Sequence, residues 1–245
     1  MIYKVKIMTN EQIANTIRDI LGVSKELVGI KTWKKAPTTV KKYQGNAFPG
    51  MCTQIGEVLA TGKTFYTNEE HCFCTGGIVA TGVVPPVPEE EKREMLEVHF
   101  AMSKGYKDFD TAMHYEDEMN KLNPPVKEKN TVVQLGLFTD IEDPDLILIF
   151  CKPWAADILN RTFCYANGEP ITGFGGNGGC PFLIQYPYVT GKPSFSYSDV
   201  AWRKYIGLAK EELTVTMPYK SLLGCIENLS SVAEDYLKYG EVVEE

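Results

Sequence analysis

Leu146-Ile147-Leu148-Ile149-Phe150-Cys151 follows an acidic turn through Pro144 and runs almost directly into Pro153. Six consecutive apolar residues without charge read as a strand buried on both faces, and the run is far too short to span a bilayer. From Pro153 a helical pattern continues to Ala166 and stops at Gly168. Upstream, Thr131 to Phe138 reads as a second strand. Downstream, strands are expected at Pro181 to Val189 and Leu213 to Met217. Asp199 caps a helix between them, and Pro218 starts another that carries Leu222, Leu223, Ile226 and Leu229, followed by an acidic, frayed tail.

The N-terminal half follows the same alternation. Met1 to Met8 alternates lysine with apolar residues and suits an edge strand better than an export leader. Thr9 and Gln12 form a capping box ahead of the stripe Ile13, Ile17, Ile20 and Leu21, with Gly22 as the stop. Leu27 to Trp33 and Thr38 to Tyr43 read as strands. Pro49 and Gly50 open a helix with Cys52, Ile55 and Leu59 on one face, ending at Gly62. Phe65 to Val84 reads as strand and turn, Glu89 to Ser103 as an acidic helix containing His99, and Thr111 to Leu122 as a weaker helix. Alternating strands and helices predict an α/β or α+β fold, a mixed sheet flanked by helices. The reading is one domain over 1–245, with Pro124 and Pro125 as the boundary of two possible halves, 1–123 and 124–245. Each half holds a cysteine beside paired glycines, Cys74 with Gly76 and Gly77, and Cys180 with Gly178 and Gly179, the mark of a possible duplication.

A formal net charge of -7 argues against nucleic acid as the main partner, because backbone binding needs clustered lysine and arginine. Seven cysteines, an odd number, argue against a disulfide framework and for a cytoplasmic protein whose cysteines are thiols, metal ligands or core fillers. The chemistry-bearing stretch is His71-Cys72-Phe73-Cys74-Thr75-Gly76-Gly77. Extended, it would put Cys72 and Cys74 on one face, where two thiolates grip a soft metal ion or two corners of a cluster. Burial in a sheet core is the plain alternative, and Cys151, Cys164 and Cys225 are read that way. Cys52, Cys72, Cys74 and Cys180 together supply the four thiolates that an iron–sulfur cluster, or alternatively a structural zinc, requires. The segment Gly173-Phe-Gly-Gly-Asn-Gly-Gly179 lacks both the P-loop and the dinucleotide pattern. Its Gly175, Gly176, Gly178 and Gly179, with Arg203 and aromatics such as Phe174 and Trp202, could instead line a small-ligand pocket in a non-catalytic binding protein.

Taken in order, Pro37-Thr-Thr-Val-Lys41, Cys52 at the start of a helix ending in Gly-Lys-Thr-Phe, Cys74-Thr-Gly-Gly77 before a small-residue strand ending at Gly82, and Cys180 ahead of a strand and the turn Thr190-Gly191-Lys192 resemble the ArCR family of archaeal and bacterial proteins of unknown function. The resemblance runs from the first helix through Leu229 and implies cysteine at positions 52, 74 and 180. Where that family shows Cys-x-Gly-x-Arg, this chain reads Asp199-Val-Ala-Trp-Arg203. If that cysteine is a ligand in the family, the site here is either altered, with Asp199 or Cys72 substituting, or lost; of the two, Cys72 is the softer and better-suited candidate. The expectation is a cysteine-ligated iron–sulfur protein of redox or sensing role, with a small molecule or a redox partner protein as its counterpart.

Overall fold

The computed structural model describes residues 8–45, 49–72, 74–88, 105–176 and 178–241, with Glu91, Arg93, Glu94 and Glu97. The expected strand at Met1 to Met8, His99, and most of the acidic helix Glu89 to Ser103 lie outside them.

The first helix, α1 (Asn10–Leu21), carries the capping box at Thr9 and Gln12 and ends on a left-handed Gly22. The chain then forms β1 (Val28–Trp33), β2 (Lys41–Lys42), α2 (Met51–Thr61), β3 (Phe65–Thr67), α3 (Thr75–Ala80), α4 (Phe109–Leu122) and β4 (Val132–Leu137). After a 3-10 turn at Phe138–Asp140 come β5 (Leu146–Cys151), α5 (Pro153–Asn167), β6 (Thr172–Phe174) and a π-helical turn (Pro181–Gln185) running into α6 (Tyr186–Thr190). β7 (Ser194–Ser196), α7 (Val200–Ile206), β8 (Leu213–Pro218), α8 (Tyr219–Leu223), a second 3-10 turn and α9 (Leu229–Glu241) complete it. The acidic C-terminal segment is therefore helical to Glu241.

The fold is α+β, built on one mixed eight-stranded sheet in the order β2-β3-β4-β1-β5-β8-β7-β6. Strand alternation in β5 explains why it sits at the centre. Leu146, Leu148 and Phe150 pack on one side with Val28, Ile30, Met51, Ile55, Leu183 and Trp202. Ile147, Ile149 and Cys151 pack on the other with Ile13, Ile17, Ile158, Phe163 and Leu229. Both faces are covered by helices, so the run has no polar side to show.

Strand order and register repeat in the two halves. From either edge inward, Lys41–Phe65–Leu135–Ile30 and Thr172–Ser194–Thr216–Leu148 are equivalent rungs, each joined by one parallel and then two antiparallel pairings. The half-sheets meet where β1 and β5 run antiparallel, with Val28 opposite Leu148, Gly29 opposite Ile147 and Ile30 opposite Leu146. That register is symmetric about Gly29 and Ile147, so a local two-fold axis at this pair relates β1–β4 to β5–β8. The topological division thus falls in the turn between β4 and β5 and not at Pro124 and Pro125, because β4 completes the first half-sheet.

Two expected strands are helices. The residues after Cys74 form α3, and Pro181 to Val189 forms the π turn and α6. Short apolar runs carry no periodicity that separates a buried strand from a buried helix. Here Ile78, Ala80, Phe182, Leu183 and Ile184 are buried by helices laid across the sheet, not by ladder pairing. Likewise the expected strand Thr38 to Tyr43 shrinks to Lys41–Lys42.

Candidate functional site

The two-fold relation brings four side chains to one place. Cys52 is the second residue of α2, which crosses between parallel β2 and β3, and Cys180 immediately precedes the π turn, which crosses between parallel β6 and β7. Cys74 is the N-cap of α3, which follows β3, and Asp199 is the N-cap of α7, which follows β7. The axis therefore equates Cys52 with Cys180 and Cys74 with Asp199, not Cys74 with Cys180 as the paired-glycine echo suggests. Helix α2 packs against α7, and α3 against the π turn, which closes the arrangement.

Contacts around these residues repeat too. Asp199 accepts the Trp202 amide at its Oδ1 and the Gly179 amide at its Oδ2, each at 2.7 Å. The counterparts of those donors are Gly77 and Met51, whose amides are the ones that act on the Cys74 sulfur. They do so at longer range, since the sulfur makes no cap hydrogen bond of its own. Packing is preserved with the sizes exchanged. A side chain on Gly77 would lie 3.1 Å from Met51 Cγ and closer to its Cβ, and one on Gly179 would lie 2.5 Å from the Trp202 ring. One half pairs a large residue on α2 with glycine on α3. The other pairs glycine before the π turn with a large residue on α7.

One length difference is absorbed locally. Cys52 precedes its left-handed stop Gly62 by ten residues, and Cys180 precedes Gly191 by eleven. The π turn, in which the Tyr186 amide reaches back to the Pro181 carbonyl, takes up the extra residue.

Electrostatics make the thiols unequal. The neighbouring Cys180 thiol, helped by the Gly77 and Met51 amides against burial and the Asp199 charge, lowers the Cys74 pKa to about 6. The neighbouring Cys74, and then burial, push Cys180 well above the usual thiol range. Burial first, then the Cys74 and Asp199 charges, raises Cys52 to about 11. The direction of the two shifts favours thiolate character on Cys74 over Cys180, which suits Cys74 to nucleophilic or metal-binding chemistry. Gly50 and Gly76 leave room beside them. A methyl at Gly50 would stand 3.6 Å from Cys52 Sγ and 3.5 Å from Cys74 Cβ, and one at Gly76 would stand 3.9 Å from Cys74 Sγ and 4.0 Å from Cys180 Cβ. Neither has a positive φ. Their backbone conformation does not demand glycine, and a side-chain carbon would fit.

The remaining expected site residues are placed differently. Cys72 lies near Cys52 and Cys74 but is fully buried in the core, and that burial lifts its pKa to about 12. His71 bonds Asn68 through Nδ1. Cys151 and Cys225 are core residues as expected, whereas Cys164 is exposed. In the glycine loop, Gly173 sits against the Phe195 ring, Gly176 against Tyr115 and Gly179 against Trp202, while Gly175 faces open space and Gly178 touches Pro181. Arg203 donates to the carbonyls of Tyr197, Ala209 and Glu212, which ties down the loop before β8. Asp199 was visible in sequence as a helix cap. Its place in the cysteine group becomes visible only through the sheet order.

Among the described residues, no three His, Cys, Asp or Glu side chains close on one point as the ligands of a single metal ion do. No helix among them is long and apolar enough to cross a membrane. A family model for the uncharacterised ArCR proteins matches residues 16–228. The chain belongs to the ArCR family. Neither a curated protein nor a solved structure matches it. In this ArCR protein the matched span includes both half-sheets and all four clustered side chains.

Proposed function

We propose that this ArCR protein carries an iron–sulfur cluster held by Cys52, Cys74 and Cys180, and serves in electron transfer or sensing with a redox partner protein. The observation that carries the reading is the convergence of these cysteines from three separate segments, with space left beside them at Gly50 and Gly76. Cysteines that merely fill a core do not need room at their sulfurs. A cluster has several metal corners, so its ligands stand farther apart than those around one ion. The Met51 and Gly77 amides beside Cys74 would stabilise a ligand sulfur and tune the potential.

The test is anaerobic reconstitution with ferrous iron and sulfide, followed by iron and sulfide analysis and visible spectroscopy. Brown protein with iron and sulfide in equal amounts, lost in C74A and C180A, is the expected result. Colourless wild-type protein without bound metal would overturn the reading.

The Cys74–Cys180 contact also favours a second reading, thiol–disulfide exchange. The Cys74 thiolate would attack a partner disulfide and release one partner thiolate. Cys180, losing its proton to solvent, would then displace the second, leaving a Cys74–Cys180 disulfide and a reduced partner. Metal-free protein that forms this disulfide reversibly, and never takes up iron, would select this alternative.

A further inference from the structure

We infer that Asp199 is the fourth ligand of the centre, so that one iron is held by carboxylate oxygen while the others are held by cysteine. The inference rests on the cluster reading above and specifies the ligand that reading lacks. Its basis is the sheet. The registers of all the strand pairings agree on one two-fold relation, and within it Cys74 and Asp199 are the N-caps of the helices that follow the equivalent strands β3 and β7. The equivalence extends to the donors. Amides from Met51 and Gly77 act on Cys74, and amides from Gly179 and Trp202 bond Asp199. Packing corroborates it through the exchanged pairs Met51–Gly77 and Gly179–Trp202.

Cys72, the alternative fourth ligand, has no such counterpart and is sealed in the apolar core behind the site. Asp199 is half-buried, and its Oδ2 holds the amide of Gly179, the residue that adjoins Cys180, while its helix packs on the one that begins beside Cys52. Each of its oxygens accepts one amide and keeps a second lone pair free. A carboxylate is a harder ligand than a thiolate and holds iron of this kind less firmly. The oxygen-held iron is then the exchangeable corner, the place where a small anion or thiol could bind directly or where iron is lost first.

Wild type, D199C and D199N are reconstituted anaerobically and then treated with ferricyanide, which takes one electron as [4Fe–4S]2+ releases Fe2+ and leaves [3Fe–4S]+. Wild type should lose about one iron in four and acquire the three-iron paramagnetic signal, whereas D199C should keep its full iron. D199N, which keeps one capping oxygen but loses the acceptor for the second amide, should fold with a lowered thermal midpoint and lose the iron more readily than wild type. Equal iron loss in wild type and D199C overturns the assignment of Asp199 and leaves the cluster reading standing. Failure of both wild type and D199C to take up iron overturns the cluster reading itself.

Discussion

Gly56 lies inside α2 where the Val200–Ile206 helix crosses it. An alanine methyl there would stand 3.0 Å from the Tyr205 carbonyl carbon and closer still to its oxygen. Replacing an interior helical glycine by alanine ordinarily stabilises a helix by roughly 0.5–1 kcal/mol. Here the methyl meets backbone that cannot rotate away, and restoring normal contact separates the helices by on the order of 1 Å. Overpacking of this kind costs about 1–3 kcal/mol, enough to cancel the helical gain and reverse its sign. With a midpoint shift of roughly 2–4 °C per kcal/mol at this chain length, G56A should melt several degrees below wild type. Because the two helices carry Cys52 and the residue after Asp199, their separation should also loosen the site. Thermal and urea melts, with iron content measured in parallel, make the check. A G56A protein as stable as wild type or more so would refute the crossing geometry and with it the way the halves are clamped.

The complementary substitution, G76A, fits without clash and should leave the melting midpoint unchanged or slightly raised, while its methyl, in contact with Cys74 and Cys180, lowers iron retention several-fold. In metal-free protein, alkylation of Cys74 followed by peptide mass mapping should show a midpoint at about pH 6, and C180A should move it upward by removing the thiol donor. Since the folded pKa lies below the ordinary value of 9.0, the stabilisation from this thiolate is fully present above pH 9.0 and is lost as pH falls toward about 6. Chemical denaturation across that window, wild type against C74A, reads it. C72A should cost about 1 kcal/mol of core packing and leave iron content intact, whereas C180A should abolish it.

The parts of the fold legible from sequence were those with long or two-sided patterns. The capping box at Thr9, the stripe of α1, the uninterrupted β5 run and the left-handed stops at Gly22, Gly62 and Gly168 each state their structure locally. The misread segments, Thr75–Ala80 and Pro181–Thr190, are short, apolar and wedged between neighbours, so tertiary packing chose helix for them. The stretch read as a strand carrying Cys72 and Cys74 on one face is not a strand at either residue. A turn ends at His71 just before Cys72, and a helix starts at Thr75 just after Cys74; Cys72 lies in the core and Cys74 beside Cys180. The proximity of the Cys74 and Cys180 segments could be argued from composition because both are glycine-flanked. Asp199 could not be added that way, since its counterpart is a different residue type and only strand register reveals the match.

The π turn at Pro181–Gln185 bears on how this chain can vary in length. Adding a residue to a regular α-helix rotates everything before it by about 100° relative to everything after it. Here that would swing Cys180 out of the cluster while Gly191 and β7 stayed in place. The wide turn stores the additional residue as a bulge, so the phase of both ends survives the insertion. Removing one residue from 182–184 should regularise the helix and keep Cys180 aligned, whereas the same deletion in α2 should dislodge Cys52. Within this crossover the two halves differ by a single residue, and the bulge accommodates it without moving Cys180 out of the site.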